Sequence, residues 1–462
     1  MFASYFINMI GSRTKIGNFL KENMTQMSMY NILEKKKHNK VLSKEEIKWV
    51  IDSLMEKKIE DYQVAALLMA IYLNGMTKEE TAHLTDAMLY SGKTLSFDGL
   101  NVVDKHSTGG IGDKTSLILA PIAAVCGVKV PMIAGRGLGF TGGTVDKMEA
   151  IPGFKTDLDL KEFESRLNEK GIVLIGQTGE IAPADKIIYA LRDVTATIDS
   201  IPLITASIMS KKLAEGANGI VMDIKVGSGA FMRTKSEAKK LARSIINTAS
   251  RFDKKCVTLL TNMNQPLGEA VGHTLEVIEC IEVLKGRGPK DLSSLSIELA
   301  AHMIHIAGVE KTYAAALKKA RKSVKDGSAL KKFEELISDQ EGDSQVTKNY
   351  DLMDLAPERS YIVAPKDGYI KSFKNADIGF MCTELGGGRK VKSDKIDFGV
   401  GFIFHKRLSD KIKKGDKIAT IYHRKDQGKI VEDIQHRMLN DIIKFSSTKL
   451  SKPEIVYEIL KN

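Results

Sequence analysis

A lysine, a histidine and a serine stand together at positions 105–107, directly before a glycine-rich turn that ends at Asp113. A short apolar stretch precedes them, and an apolar, helix-like run over residues 115–126 follows. A glycine loop at the start of a helix points backbone N–H groups and the positive end of the helix dipole at one place, which suits a phosphate. Lys105 adds a positive charge, and Ser107, Thr115 and Ser116 add hydroxyl donors.

A second glycine-rich turn, GRGLGFTGGT over residues 135–144, leads into a further helix start at residues 146–149. Its arginine and threonines give it the same anion-binding character. A single glycine loop is often only a turn, because glycine readily adopts a positive φ. Two such loops close in sequence predict an anion site. A phosphate held beside His106 would favour the protonated imidazole, which makes His106 a candidate proton donor.

The stretches KHSTGGIGD (residues 105–113) and GRGLGFTGGTVDKME (residues 135–149) resemble the two signatures of the thymidine and pyrimidine-nucleoside phosphorylases. The resemblance extends from about residue 29 to about residue 457. It implies an enzyme of nucleoside salvage, a pentosyltransferase that uses inorganic phosphate as co-substrate and no organic cofactor. In that reaction thymidine and phosphate give thymine and 2-deoxyribose 1-phosphate.

The resemblance also implies roles for nine residues. They are the phosphate contacts Lys105, Ser107, Ser116 and Thr144, the catalytic His106, and the pyrimidine-binding set Arg192, Ser207, Lys211 and Phe231. Each has a plainer interpretation when taken alone, since Arg192 can pair with an aspartate on a helix surface and Lys211 can lie with Lys212 on a solvated face. Their shared order and spacing favour the functional interpretation.

A monovalent cation, usually potassium, is a further implication of the resemblance. By position its ligands, mostly backbone carbonyls, are Gly112, Lys114, Leu267, Ala270 and Glu279. Lys114 brings a cationic side chain into that set. A metal ion tolerates it only if the lysine carbonyl is the ligand and the ammonium points away.

Three positions depart from the family pattern or refine it. Ala134 stands where the family has a serine, and the lost hydroxyl costs about 1.5–3 kcal/mol of phosphate binding. Phe140 stands where the family has a histidine. Neither change touches the catalytic and base-binding set, so we expect an active enzyme with weaker phosphate use or altered base choice. Met132 matches thymidine-type members, whereas uridine-accepting members tend to have lysine there, which favours thymidine and deoxyuridine.

Hydrophobic periodicity predicts the elements that must position these residues. Capping sequences at Ser43 and Thr77 and apolar residues at helical spacing predict three helices over residues 44–56, 60–74 and 78–91. Strand-like runs then alternate with helix-like runs, which indicates an α/β domain. The strand-like runs cover residues 171–176, 219–226 and 256–261, and the helix-like runs cover 183–194, 201–213, 235–251 and 273–284. Short strand-like segments at 360–363, 368–373, 396–400 and 417–422 predict a β-rich C-terminal subdomain.

We therefore predict the α/β fold class, with a small all-α domain, a large α/β domain and a β-rich C-terminal subdomain. The predicted division is an N-terminal extension (1–28), the all-α domain (29–94 with 184–215), the α/β domain (95–183 with 216–353) and the C-terminal subdomain (354–462). An active site in the cleft between domains and a homodimer through the helical domain are implied by the resemblance.

Composition argues against other classes of function. The net charge of +11 comes from 69 Lys+Arg against 58 Asp+Glu, but no nucleic-acid motif accompanies it, so we expect a solvated lysine-rich surface and no nucleic-acid partner. The longest apolar run, residues 117–128, is too short to cross a bilayer, and the N-terminus lacks the pattern of a signal peptide. The cysteines form no C-x-x-C pair, which fits reduced core residues in a cytoplasmic protein. They are Cys126, Cys256, Cys280 and Cys382.

Other functions stay open at this point. A broad pyrimidine-nucleoside phosphorylase would also use uridine. A phosphoribosyltransferase similar to the anthranilate enzyme would need a diphosphate site with magnesium-binding acidic residues, and the Lys-His-Ser and Arg192/Lys211 patterns disfavour it. A non-catalytic nucleoside-binding paralogue has only Ala134 and Phe140 in its favour.

Overall fold

The computed structural model describes residues 27–462 except 98, 100, 138, 140 and 390–393. Its chain begins with the helices α1 (Met29–Lys37), α2 (Lys44–Met55), α3 (Asp61–Asn74) and α4 (Lys78–Leu89). Ser43 and Thr77 open α2 and α4 with capping boxes, in which each side chain accepts from the backbone N–H three residues on. The three predicted helices are confirmed, and α1 was not predicted.

Strands and helices alternate in the next part of the chain. They are β1 (Val103–Ser107), α5 (Thr115–Val125), β2 (Val130–Ala134), α6 (Thr144–Glu149), α7 (Leu160–Lys170), β3 (Ile172–Gly176), α8 (Pro183–Val194), α9 (Ile201–Ala214), β4 (Gly219–Val226), α10 (Lys235–Arg251), β5 (Lys255–Asn262), β6 (Ala270–Val271) and α11 (His273–Leu284). A helical stretch follows, with α12 (Lys290–Ile306), α13 (Tyr313–Lys325) and α14 (Ser328–Asp339). The predicted strand and helix positions in this region are confirmed to within two residues.

The C-terminal part is rich in short strands. Its elements are β7 (Glu358–Val363), β8 (Gly368–Phe373), α15 (Asn375–Glu384), β9 (Gly401–Phe404), β10 (Lys411–Ile412), β11 (Lys417–His423), α16 (Gly428–Arg437), β12 (Ile443–Ser446) and β13 (Val456–Lys461). The predicted strand at 396–400 is wrong. The Asp397 carboxylate accepts from the backbone of Gly399 and from Arg424, so this segment turns, and the strand begins at Gly401.

The central sheet places the two glycine loops at one edge. Strands β1, β4 and β5 pair in parallel, and β13 adds an antiparallel strand beside β5. Strands β2 and β3 pair in parallel, and a parallel bridge between Val102 and Lys129 sets β2 beside β1. The carboxyl ends of β1 and β2 therefore lie at the same edge, where open α/β sheets bind their ligands.

The helical unit is built from two separate parts of the chain. Ile51, Leu68 and Met88 from the first helices share one buried apolar cluster with Ala184 and Leu203 from α8 and α9. Helix α9 contacts both α4 in the first part of the chain and α10 beside the sheet, so it joins the helical unit to the α/β region. The domain boundaries drawn from the sequence remain predictions. Within the described ranges, no helix has both the length and the apolar character needed to cross a membrane.

Candidate active site

The first glycine loop begins at the carboxyl end of β1 and runs into the start of α5. The Lys105 ammonium donates to the hydroxyls of Thr115 (2.7 Å) and Ser116 (3.3 Å) in the first turn of α5. The backbone N–H of Gly109 donates to the Ser107 hydroxyl at 3.0 Å, which holds the loop in its turn. Charge, hydroxyls and helix N-terminus thus converge on one place.

Asp113 organises this loop, although no pattern in the sequence indicates that role. Its carboxylate accepts from the hydroxyls of Ser107 and of Thr115, the latter at 3.0 Å. Burial alone would raise the pKa of Asp113, but Lys105 and Lys225 hold it well below its usual value. The carboxylate therefore stays ionised and fixes the hydroxyls that surround Lys105.

The second glycine loop is held by Asp146 at the start of α6. The Asp146 carboxylate accepts from the backbone N–H of Gly137 at 2.7 Å and from the Arg136 guanidinium at 3.0 Å. A Cβ at Gly143 would lie 2.1 Å from the Gly137 nitrogen, so only glycine allows the loop to close. Thr144 follows as the first residue of α6. Phe140 lies outside the described residues.

The predicted base-binding residues come from α8 and α9. The Lys211 ammonium donates to the Ser207 hydroxyl at 2.9 Å and to the Asp185 carboxylate, and all three side chains are buried. Arg192 is also buried, and its guanidinium donates to backbone carbonyls that include Leu203 at 3.2 Å. Neither cation lies on a solvated helix face, which excludes the plainer interpretation of both.

One cavity of about 420 Å³ joins these groups. All nine residues predicted for phosphate, proton donation and base binding line it: Lys105, His106, Ser107, Ser116, Thr144, Arg192, Ser207, Lys211 and Phe231. We call it the central cavity. Met132, Ala134, Gln177 and Tyr189 also line it, and the last two carried no signal in the sequence. The residues predicted to bind phosphate and those predicted to bind the base thus line one cavity.

His106 lies among positive charges. Burial lowers the pKa of His106 well below its usual value, and the nearby Lys212, Lys211 and Lys105 lower it further. The imidazole is therefore neutral in the protein without an anion. A bound phosphate would offset the lysine charges and raise the pKa of His106 again, which favours the protonated form that a proton donor needs.

Sulfate binding is expected to raise the pKa of His106 by about one unit or more, because the anion cancels part of the surrounding positive charge. Sulfate suits this test since it does not titrate near neutral pH. The pKa follows from the NMR shift of the imidazole ring proton between pH 4 and 8, with and without sulfate (roughly the range in which histidine titrates). The variant His106→Gln assigns the signal. An unchanged pKa under saturating sulfate would contradict the assignment of an anion site beside His106.

The predicted cation ligands also come together, but not around a metal-sized gap. The Lys114 ammonium donates to the carbonyls of Leu267 (3.0 Å) and Ala270 (2.9 Å) and to the Glu279 carboxylate (2.5 Å). The Lys114 carbonyl instead accepts from the Cys280 thiol at 3.6 Å. Burial lowers the pKa of Lys114, but Glu279 and Glu276 outweigh it and leave the pKa raised. The condition for a metal ion at this place is not met, so the residues present do not fit one.

The fold and the central cavity define a class, the glycosyl transferases in which a helical bundle joins an α/β domain. Residues 30–92 match the helical bundle domain of the glycosyl transferase family, and residues 99–330 match its a/b domain. Residues 369–439 match the pyrimidine nucleoside phosphorylase C-terminal domain. The chain belongs to the pyrimidine-nucleoside phosphorylase family, which confirms the resemblance seen in the sequence and the predicted fold class.

Two relatives illustrate the extent of the match. A pyrimidine-nucleoside phosphorylase of Geobacillus stearothermophilus is 42% identical over 437 residues, which cover 94% of this chain and 99% of the relative. One of Staphylococcus aureus is 43% identical over 436 residues, covering 94% and 100%. The crystal structure of anthranilate phosphoribosyltransferase from Thermus thermophilus has a TM-score of 0.56 and covers 67% of this chain and 98% of its own. At 18% identity, that likeness concerns the fold alone.

Proposed function

We propose that this protein splits pyrimidine nucleosides with inorganic phosphate, and thymidine in particular, into thymine and 2-deoxyribose 1-phosphate. One observation carries the proposal. The central cavity is lined both by Lys105 and Ser116, where a lysine donates to a hydroxyl, and by the buried Lys211 and Ser207. A nucleoside between the two would have its sugar facing phosphate and its base facing the cationic donors.

The reaction makes one bond and breaks one. A phosphate oxygen bonds to C1′ of the sugar while the bond from C1′ to N1 of the base breaks, and its electron pair leaves with the base. The sugar passes through a state resembling an oxocarbenium ion, as in glycoside cleavage. The base then takes up one proton. The enzyme must therefore place an anion below C1′ and offset the charge that builds on the pyrimidine.

Residues of the central cavity are assigned to these tasks. Lys105, Ser107, Ser116 and Thr144 bind phosphate, and His106 gives the proton to the leaving base. Lys211 and Ser207 bind the pyrimidine carbonyl and N3–H, which need donors and an acceptor. Arg192 gives up its hydrogen bonds to backbone carbonyls and also donates to the base. Phe231 packs beside the base. Ala134 removes one hydroxyl from the phosphate end, so the affinity for phosphate is modest.

Thymidine is the proposed substrate because Met132 lines the central cavity from β2 with a buried thioether. A thioether is a poor partner for a 2′-hydroxyl, whereas a lysine ammonium at this position would donate to it. Uridine is the alternative substrate, because the similar proteins are named pyrimidine-nucleoside phosphorylases and that name covers both nucleosides.

Met132→Lys is expected to lower the thymidine-to-uridine ratio of kcat/KM by about tenfold, since the new ammonium would donate a hydrogen bond to the ribose 2′-hydroxyl of uridine. Initial rates of base release with both nucleosides measure the ratio. Met132→Leu keeps an apolar side chain of similar volume and should leave the ratio within about twofold. A folded Met132→Lys protein with the wild-type ratio would show that position 132 does not select the sugar.

A base-release assay tests the proposed function directly. Thymidine and uridine are each incubated with the protein, with and without inorganic phosphate, and free base is measured. Release of thymine that depends on phosphate is expected. Release that requires diphosphate and a phosphoribosyl donor would identify a phosphoribosyltransferase instead. Nucleoside binding without release, restored to turnover by Ala134→Ser, would identify a scaffold disabled at the phosphate end.

We also propose a cytoplasmic homodimer. All four cysteines are buried and unpaired, which suits a reducing compartment. The helical unit exposes Tyr30, Tyr62 and Leu73, each more than 70% exposed, as candidate contacts.

The dimer is expected to dissociate when Leu73 is replaced by aspartate, because the charge would be buried in the contact. Light scattering after gel filtration measures the mass of both proteins, and Lys161→Asp on the α/β domain is the control. A monomeric wild-type protein at micromolar concentration would contradict the proposal.

A further inference from the structure

Lys114 is an unusually buried lysine. Its side chain has no solvent-exposed surface and passes from the first residue before α5 to the segment between β5 and α11. A lysine ammonium has three N–H donors, and here each has one acceptor: two backbone carbonyls and one carboxylate oxygen. The group is therefore fully satisfied, and no part of it is left to bind anything else.

The three oxygens are held in place by contacts that do not involve Lys114. The other oxygen of Glu279 accepts from the backbone N–H groups of Glu269 (2.7 Å) and Ala270 (3.1 Å). At Gly112, a Cβ would lie 2.7 Å from the Leu267 carbonyl oxygen, so the phosphate loop packs directly against this segment. The three oxygens therefore form a preformed binding site for one small cation.

A monovalent metal ion and the ammonium cannot occupy this cation site together. Both carry one positive charge, and both would need the same carbonyl and carboxylate oxygens. We propose that Lys114 supplies a covalently attached cation in place of a monovalent metal ion. The protein consequently needs no potassium for its fold or for its phosphate loop.

The position of Lys114 explains what this cation does. The next residues in the chain, Thr115 and Ser116, accept from Lys105 in the phosphate site. The ammonium ties the start of α5 to the segment 267–270, whose last residue, Ala270, pairs with β9 of the C-terminal part. Lys114 is therefore a positioning residue for the phosphate loop and does not itself line the central cavity.

Thermal unfolding without substrate tests this inference independently of the proposed function. The melting temperature of the wild-type protein is measured in potassium chloride and in choline chloride at equal ionic strength. Lys114→Thr opens the cation site to an ion, whereas Lys114→Met fills it with an uncharged side chain. We expect the same melting temperature in both salts for the wild type. In choline we expect Lys114→Thr to melt roughly 4 °C lower, because Glu279 loses its partner.

Potassium should return about half or more of that loss to Lys114→Thr, with a saturable concentration dependence, and none of it to Lys114→Met. A second readout is the KM for phosphate, which should depend on potassium in Lys114→Thr alone. Anomalous scattering from rubidium in crystals of Lys114→Thr should place the ion between Leu267, Ala270 and Glu279. Stabilisation of the wild-type protein by potassium over choline would overturn the inference. So would a folded Lys114→Thr protein that does not respond to potassium. If Lys114→Thr does not fold in either salt, the wild-type comparison still decides.

Discussion

Replacing Lys105 with methionine is expected to lower kcat/KM for phosphate by about 10³-fold. The ammonium lies between Thr115 and Ser116 at the start of α5, where the helix dipole already favours an anion. Methionine keeps most of the side-chain length and removes only the charge and its donors. Phosphate would then lose its main counter-charge both when bound and while it attacks C1′.

Steady-state kinetics with phosphate as the varied substrate measure this loss. The nucleoside dissociation constant should stay within about threefold, because Lys105 is a proposed phosphate contact and not one of the proposed base contacts. Lys161→Met removes a lysine from the exposed surface of α7 and has the same net charge, so it controls for long-range electrostatics. A folded Lys105→Met protein with kcat/KM for phosphate within about tenfold of wild type would exclude Lys105 from the phosphate site.

Local patterns predicted the parts of the site that depend on neighbouring residues. Glycine turns, capping boxes and hydrophobic periodicity act over a few residues, so the strand β1, the start of α5 and the two glycine loops were predictable. The strand wrongly predicted at 396–400 shows where such local patterns fail. Its apolar residues fit a strand, but Asp397 binds Arg424, a residue from a distant part of the sequence, and the backbone turns instead.

Local sequence patterns do not predict buried charge pairs between residues that are far apart in the chain. Lys212 seemed a solvated neighbour of Lys211, yet it is buried against Asp104, which lies 108 residues away in the chain, and against the nearby Glu215. Adjacent residues of a helix point about 100° apart, so each of the two lysines finds a different carboxylate. The direction of the Lys114 side chain was equally hidden, since its acceptors lie beyond residue 266.

Asp185 is the most consequential of these hidden partners, because it accepts from Lys211, which lines the central cavity. Its second oxygen lacks a hydrogen-bond partner among the described residues. In the part of the chain that the structure describes, the only side chain that uses this carboxylate is therefore Lys211, which fits a carboxylate that holds the ammonium in place for the substrate. Asp185 is thus a positioning residue, and Lys211 is the group that would touch the pyrimidine.

Lys211→Met is expected to lower kcat/KM for thymidine by about 10³-fold, since the leaving pyrimidine loses its cation. Asp185→Asn should cost roughly 10- to 100-fold, because the ammonium remains but loses its fixed position. If Asp185 acts only through Lys211, the double variant should be no slower than Lys211→Met alone. Lys240→Met, on the exposed surface of α10, is the control for loss of one positive charge.

Stability and activity should separate in the double variant of the same set. Lys211→Met leaves the Asp185 carboxylate buried without its partner, which costs roughly 3 kcal/mol of unfolding free energy. Adding Asp185→Asn removes that charge, so the double variant should recover most of the loss while its kcat/KM stays at the Lys211→Met level. Denaturant unfolding and initial rates on the same preparations give both quantities. A double variant that is about tenfold or more slower than Lys211→Met would show that Asp185 contributes to catalysis apart from Lys211.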